Sequence, residues 1–365
     1  MTAKVQPKPP QLKSLTGLRG VAAWWVVLYH LRGELGGWLA APLVAVCAKG
    51  YLAVDVFFML SGFVIWLNYA GWFHEKGWRG TSRFFRKRFA RIWPLHAAVL
   101  LTMVAMAGVL AVAGGSPFAD HPWAELPLHF LLVQNWGFTS DTRWNVPAWS
   151  ISTEFGAYLV FPLLVLIARP DRWRTWLVVA AIPALLVVLH LFFRLHGGVL
   201  LNFDVPHLGL GRCLIQFAIG TLICIIWQRT RGRGGICVIA VVLGLGAGAL
   251  WVCGILPETL GFPLAVAPLL LALADWDNSR WNWLSWRPLE WLGEVSYSTY
   301  LIHFVGWTIF SQLVAPPGTV TLAKILVFLI LVLIGSTISY RLIEKPGRAF
   351  FGKVRRKPAD PATAW

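Results

Sequence analysis

Ten apolar stretches separated by short polar turns leave this chain few ways to fold. They lie near 17–35, 50–70, 92–113, 147–168, 174–193, 207–228, 235–253, 257–274, 290–313 and 320–343. A backbone in lipid must satisfy its own N–H and C=O groups, so runs of this length imply helices. The expected fold is all-α, a polytopic bundle of about ten transmembrane spans. Charged residues are only 13% of the chain, about half of a soluble domain's share of roughly 25%. The segment 126–138 (LPLHFLLVQNWGF) is too short to cross and ends in polar residues. It reads as a re-entrant or interfacial piece lining a cavity.

Basic residues orient the bundle. With the N-terminus inside, 26 of the 32 Lys and Arg fall in the expected cytoplasmic segments, as the positive-inside rule requires. The other six, Arg32, Lys49, Arg143, Arg194, Arg212 and Lys324, lie in or near external loops. Both termini are therefore expected to be cytoplasmic. Residues 1–14 and 347–365 would be cytoplasmic tails flanking a membrane domain over 15–346. The polar N-terminus shows no cleavage site, so no secretory signal peptide is expected. The net charge of +16 follows from this topology and from attraction to anionic lipid. It does not point to nucleic acid, because the basic residues are split among loops without a recognition motif. Five cysteines show neither a CxxC nor a metal-ligand spacing, so no metal is expected. Cys213, Cys224 and Cys237 read as packing residues, and Cys47 and Cys253 share the external side.

Polar groups inside apolar runs are costly and mark sites or helix contacts. LTGLRGVAAWWVVLYH carries Arg19 and His30 eleven residues apart, almost three turns, so both fall on one face. With Arg19 at one membrane surface, His30 lies roughly 16 Å deeper, near the midplane, where an imidazole is a candidate base. In GYLAVDVFFMLSGF, Asp55 reads equally as a helix bridge or a substrate ligand, and Ser61–Gly62 as a close-approach pair or part of a site. In RFFRKRFARIWPLH, Arg83, Arg86, Lys87, Arg88 and Arg91 alternate with Phe84, Phe85 and Phe89. This pattern predicts a helix lying in the cytoplasmic interface with its aromatics in lipid. Its arginines exceed what orientation needs and suit phosphate. Pro94 then ends or kinks the entrance to the next span. Ser150, Glu154 and Tyr158 share one face at i, i+4, i+8, and Ser296, Tyr300 and His303 share another at i, i+4, i+7. The second face is expected to border the same cavity as His30. Most of the 22 Trp, Trp281 among them, serve interface belts. External ones such as Trp149 can stack on sugar rings.

Taken in order, these blocks resemble the acyltransferase 3 family of integral-membrane acyltransferases, from about Leu15 to Glu344, ending in the EKP of Glu344–Pro346. The resemblance implies transfer of an acetyl or other short acyl group from cytoplasmic acyl-CoA. The acceptor would be a hydroxyl of an extracytoplasmic carbohydrate, such as an exopolysaccharide, an O-antigen or a lipid-linked sugar, at a bacterial inner membrane. It puts Arg19 and His30 in the catalytic-motif positions, with Glu154 as a further catalytic candidate. Arg86, Arg88 and Arg91, with Arg19, fall on the acyl-CoA side. Asp55, Ser61, Trp149, Tyr300 and His303 are then the candidates for binding the acceptor or orienting His30. Acetyl-CoA is the expected co-substrate. Two features depart from the family: His96 in WPLH, and Phe155 after Glu154 where a second acidic residue is common. No hydrolase-like domain is present in this sequence, so the chain is expected to work alone or to hand its acyl group to a partner. His30 serves either as general base on the hydroxyl or as the carrier of an acyl-imidazole. A transporter or flippase of a lipid-linked sugar would also account for the buried polar groups, but less well for the Arg–Phe cluster.

Overall fold

A computed structural model describes residues 10–112, 121–277, 279, 282–316 and 318–352. The expected tails at 1–9 and beyond 352, and Trp281, lie outside them. Among the described residues ten long helices form: α1 (Lys13–His30), α2 (Ala53–Lys76), α3 (Thr81–Val112), α4 (Trp149–Leu163), α5 (Thr175–Leu195), α6 (Val205–Thr230), α7 (Gly234–Val252), α8 (Glu258–Asp275), α9 (Arg287–Leu313) and α10 (Leu322–Ser339). Seven helical stretches are long and apolar enough to cross a membrane, and the chain is an integral membrane protein. The outward faces of α5, α7 and α10 expose rows of Val, Ile and Leu, as lipid contact requires.

Glycines set how closely the central helices approach. A Cβ at Gly62 of α2 would stand 1.9 Å from the Phe217 carbonyl, and one at Gly220 of α6 would stand 1.9 Å from that of Met59. Only glycine lets these two backbones touch. Gly20 of α1 meets the Gly293 amide of α9, and Gly293 meets the Thr16 carbonyl. The helices α1 and α9 run parallel from this crossing: Arg19 Nη2 donates to Ser296 Oγ at 3.1 Å, and eleven residues on His30 faces His303.

Buried polar ties define the two ends of the bundle. At the proximal end, where α1 begins, the Ser14 amide and hydroxyl both donate to Asp277 just past α8, at 2.7 and 2.6 Å. At the distal end, Glu258 at the start of α8 accepts from Lys49, from Tyr51 and from the Leu201 amide.

Three local expectations need correction. The Arg83–Phe89 block is not a separate helix lying flat, because α3 runs unbroken from Thr81 through Pro94 to Val112. Phe84 is fully buried against Tyr69, Phe73 and Phe161 instead of dipping into lipid. The inward arginines have interior partners that hold this end of α3 in the bundle. Second, α1 starts at Lys13, held by the Ser14–Asp277 bonds, and stops at His30. His30 is thus the last residue of α1, and a further helical turn, Arg32–Leu35, follows it across Leu31. Third, within 126–138 only Leu126–Leu131 is helical, followed by Leu132 in a left-handed turn. This piece does not cross, and it borders neither of the two cavities described below. It braces α4: the Asn135 amide donates to Ser152 Oγ at 3.1 Å, and the Trp136 indole to the Ser152 carbonyl at 3.0 Å.

Candidate active site

Two cavities lie back to back in the bundle. The proximal one, about 140 Å³, is bordered by α1, α2, α3, α4 and α9. Ser150, Glu154 and Tyr158 all face it, as their four-residue spacing requires. Glu154 Oε1 accepts from Ser61 Oγ at 2.5 Å and from Tyr158 OH at 2.7 Å. Gly62, one residue on from Ser61, makes the α2–α6 contact, so the small pair divides its work between site and packing.

Three guanidiniums border this cavity: Arg19, Arg88 and Arg91. Arg91 is ion-paired with Glu344, whose side chain is fully buried and also takes Arg348 and Ser298. The other two have hydroxyl partners. Arg19 bonds Ser296, and Arg88 donates to Tyr69 OH at 2.9 Å while its buried Nε has no partner. Against these cations stands Glu154, so the cavity keeps an excess of positive charge. An excess of guanidinium charge in a low-dielectric interior favours an anion, and the fork geometry of the group suits phosphate.

The distal cavity, about 290 Å³, is walled by Tyr29, His30, Tyr51, Trp149, Asn202, Arg212 and Tyr300, with Arg32 beside Tyr29 at its rim. It is aromatic and hydroxyl- or amide-bearing. The Arg212 charge is spent internally: Nε and Nη2 donate to Asp55 at 2.8 and 2.5 Å, and Nη1 to the Leu201 carbonyl at 2.7 Å.

The surroundings of His30 select its tautomer. His303 Nδ1 lies 3.1 Å from the Thr299 carbonyl, which only accepts, so the proton of His303 sits on Nδ1. Its Nε2 is then an acceptor, 3.2 Å from His30 Nδ1. His30 Nδ1 also lies 3.0 Å from the Val26 carbonyl. With acceptors on both contacts, His30 carries its proton on Nδ1, leaving the Nε2 lone pair free. An imidazole in this state is a competent base, and its imidazolium would be held by the same two acceptors.

The candidate residues thus separate. Arg19, Ser61, Arg88, Arg91, Glu154 and Tyr300 border the proximal cavity, whereas His30, Trp149 and Tyr300 border the distal one. Arg19 and His30 share a helix face but not a cavity. His303 is buried and reaches His30 directly. Arg86 borders neither cavity. Asp55 is closed off, taken by Arg212 and Gln216, and Glu154 does not contact His30. Two residues carry more than their sequence context indicated. Arg212 was counted with the residues in or near the external loops; it lies inside α6, within the expected span 207–228, and a charge flanked by LGLG and CLIQF is itself a sign of an interior partner. Glu344 anchors Arg91 from beyond α10, and its signal was a lone acid among basic residues at the end of the last apolar run.

A family model described as an acyltransferase domain matches residues 12–341. The acyltransferase MdmB of Streptomyces mycarofaciens is 29% identical, with 98% of this chain and 97% of that protein aligned. The putative membrane-bound transacylase BcsY of Komagataeibacter xylinus is 28% identical over 92% of this chain and 82% of its own length. The O-acetyltransferase OatA of Staphylococcus aureus is 25% identical, covering 93% of this chain and 58% of that protein. No solved structure matches.

Proposed function

This chain belongs to the acyltransferase 3 family and is a membrane-bound acyltransferase, and on that premise we propose that it moves an acetyl or other short acyl group from cytoplasmic acyl-CoA to a hydroxyl of an extracytoplasmic carbohydrate. The observation that carries this is the pair of cavities: one with uncompensated guanidiniums, the other with a free imidazole nitrogen. The relatives' names support the chemistry, since OatA is an O-acetyltransferase and BcsY a transacylase. The proximal end is cytoplasmic on the basic-residue count, and the membrane is a bacterial inner membrane.

In this assignment Arg88, Arg91 and Arg19 take the phosphates of the donor, with Arg86 on the same helix at the mouth. Charge-assisted bonds to guanidinium hold such groups bidentately. The acceptor hydroxyl enters the distal cavity, where Tyr29, Tyr51 and Trp149 present rings to a sugar face and Asn202 an amide to its hydroxyls. His30 Nε2 removes the hydroxyl proton as the oxygen attacks the thioester carbonyl. The C–O ester bond forms and the C–S bond breaks, and the proton on His30 passes to the departing sulfur. His303 Nε2 accepts from His30 Nδ1 throughout, which holds the ring in the reactive tautomer. If His30 is instead acylated first, an acyl-enzyme accumulates without acceptor; direct transfer shows ternary-complex kinetics and no such species.

The test uses membranes containing the protein, labelled acetyl-CoA at the proximal face, and extraction of glycans from the other side. Wild type should transfer label, and His30→Ala should lose at least about 100-fold, the scale of general base catalysis, while remaining folded and inserted. Near-normal transfer by His30→Ala would refute the mechanism. Movement of a lipid-linked sugar without acylation would favour a flippase instead.

A further inference from the structure

Among the described residues Tyr300 alone borders both cavities. Its ring lies between Phe57, on the proximal side at a centroid distance of 5.8 Å, and His303 at 6.1 Å. Its hydroxyl reaches across to the start of α4, donating to the Pro147 carbonyl at 3.0 Å and pairing with Ser150 Oγ at 2.8 Å. Pro147 borders the distal cavity and Ser150 the proximal one. One face of α9 therefore reads Ser296 against Arg19, Tyr300 between the cavities, and His303 against His30.

Resting on the acyltransferase assignment above, we propose that Tyr300 is the movable partition between the donor and acceptor cavities. It keeps water of the distal side from the thioester until it swings aside to let the thioester carbonyl meet the acceptor hydroxyl. The need is chemical. A thioester open to water is hydrolysed: water oxygen attacks the carbonyl, the C–S bond breaks, and a free carboxylic acid and the CoA thiol form with no acceptor modified. Closing a site against this side reaction is a recurrent use of a buried wall. The wall is also light. Two neutral hydrogen bonds hold the phenol, a modest restraint, and the ring is carried on a single side chain, so opening needs no helix to move.

Two measurements on the full chain in membranes test this. The first is the ratio of labelled acetate released to label on the acceptor. Tyr300→Ala and Tyr300→Ser, which remove the ring, should raise that ratio at least 10-fold over wild type; Tyr300→Phe, which keeps it, should leave it within 3-fold. The second does not depend on catalysis. Ser61→Cys is introduced into wild type and into each Tyr300 variant, and a membrane-impermeant thiol reagent is added at the His30 face. Modification is read by mass spectrometry of the peptide carrying position 61, because the chain has five cysteines of its own. Labelling at position 61 should be at least 10-fold faster with Tyr300→Ala or Tyr300→Ser than with Tyr300 or Tyr300→Phe. Equal rates in all four backgrounds would overturn the partition. Slow labelling with Tyr300 and Tyr300→Phe and fast labelling with Tyr300→Ala and Tyr300→Ser, in a protein that transfers nothing from acyl-CoA, would instead sink the donor assignment and leave the partition standing.

Discussion

Replacing Asp55 by alanine should destabilise the fold without removing a group that acts on the substrate. The carboxylate is 0% exposed and accepts from Arg212 twice and from Gln216. Arg212 is itself 1% exposed, so Asp55→Ala strands a nearly buried guanidinium at the wall of the distal cavity without its counter-ion. Breaking one side of a buried ion pair costs about 3–5 kcal/mol. At about 2 °C per kcal/mol for a large domain, Tm should fall by about 6–10 °C. The second half of the argument is the rescue. Replacing both partners of a buried pair by apolar groups is often neutral, so Asp55→Leu with Arg212→Met should recover most of that loss. Thermal unfolding of the purified protein in detergent, followed by fluorescence of its 22 Trp, measures both variants beside the transfer assay. Asp55→Ala that melts with wild type yet transfers nothing would refute the reasoning and return Asp55 to the substrate site.

Two further outcomes follow from contacts already described. His303→Ala removes one of the two acceptors at His30 Nδ1; kcat should fall by roughly 10–100-fold, part of what a positioned base contributes, with KM for acyl-CoA unchanged. An unchanged kcat would show that Val26 suffices to orient the ring. Gly220→Val drives a side chain into the Met59 carbonyl, where overpacking costs about 1–3 kcal/mol or more, and the yield of monodisperse protein should drop. Gly246→Ala, whose Cβ meets nothing within 4 Å, is the control and should be neutral.

Helical spacing was the most informative signal in the chain. It placed Ser150, Glu154 and Tyr158 on one wall and Ser296, Tyr300 and His303 on another, because those relations lie within single helices and follow from 3.6 residues per turn. It failed where tertiary partners decide. The basic block looked interfacial because composition cannot show that Glu344, more than 250 residues away, awaits Arg91. Asp55 stood undecided between bridge and site because nothing in its own segment shows that Arg212, 157 residues away, is its partner. The start of α1, ahead of the expected span at 17, depends on Asp277, another distant contact. That two cavities exist, with Tyr300 between them, is a property of six packed helices and has no counterpart in any one segment.

The parallel, glycine-locked pair of α1 and α9 has an implication for diversity. It carries Arg19, His30, Ser296, Tyr300 and His303, which in the proposed mechanism form one unit for handling a donor and activating a hydroxyl. The walls that would greet different acceptors come from elsewhere: Thr142 and Val146 ahead of α4, and Asn202 in the connection before α6. Connections tolerate exchange far better than locked helix crossings. Grafting those two connections between relatives should therefore swap the molecule that is decorated while the engine that decorates it stays in place.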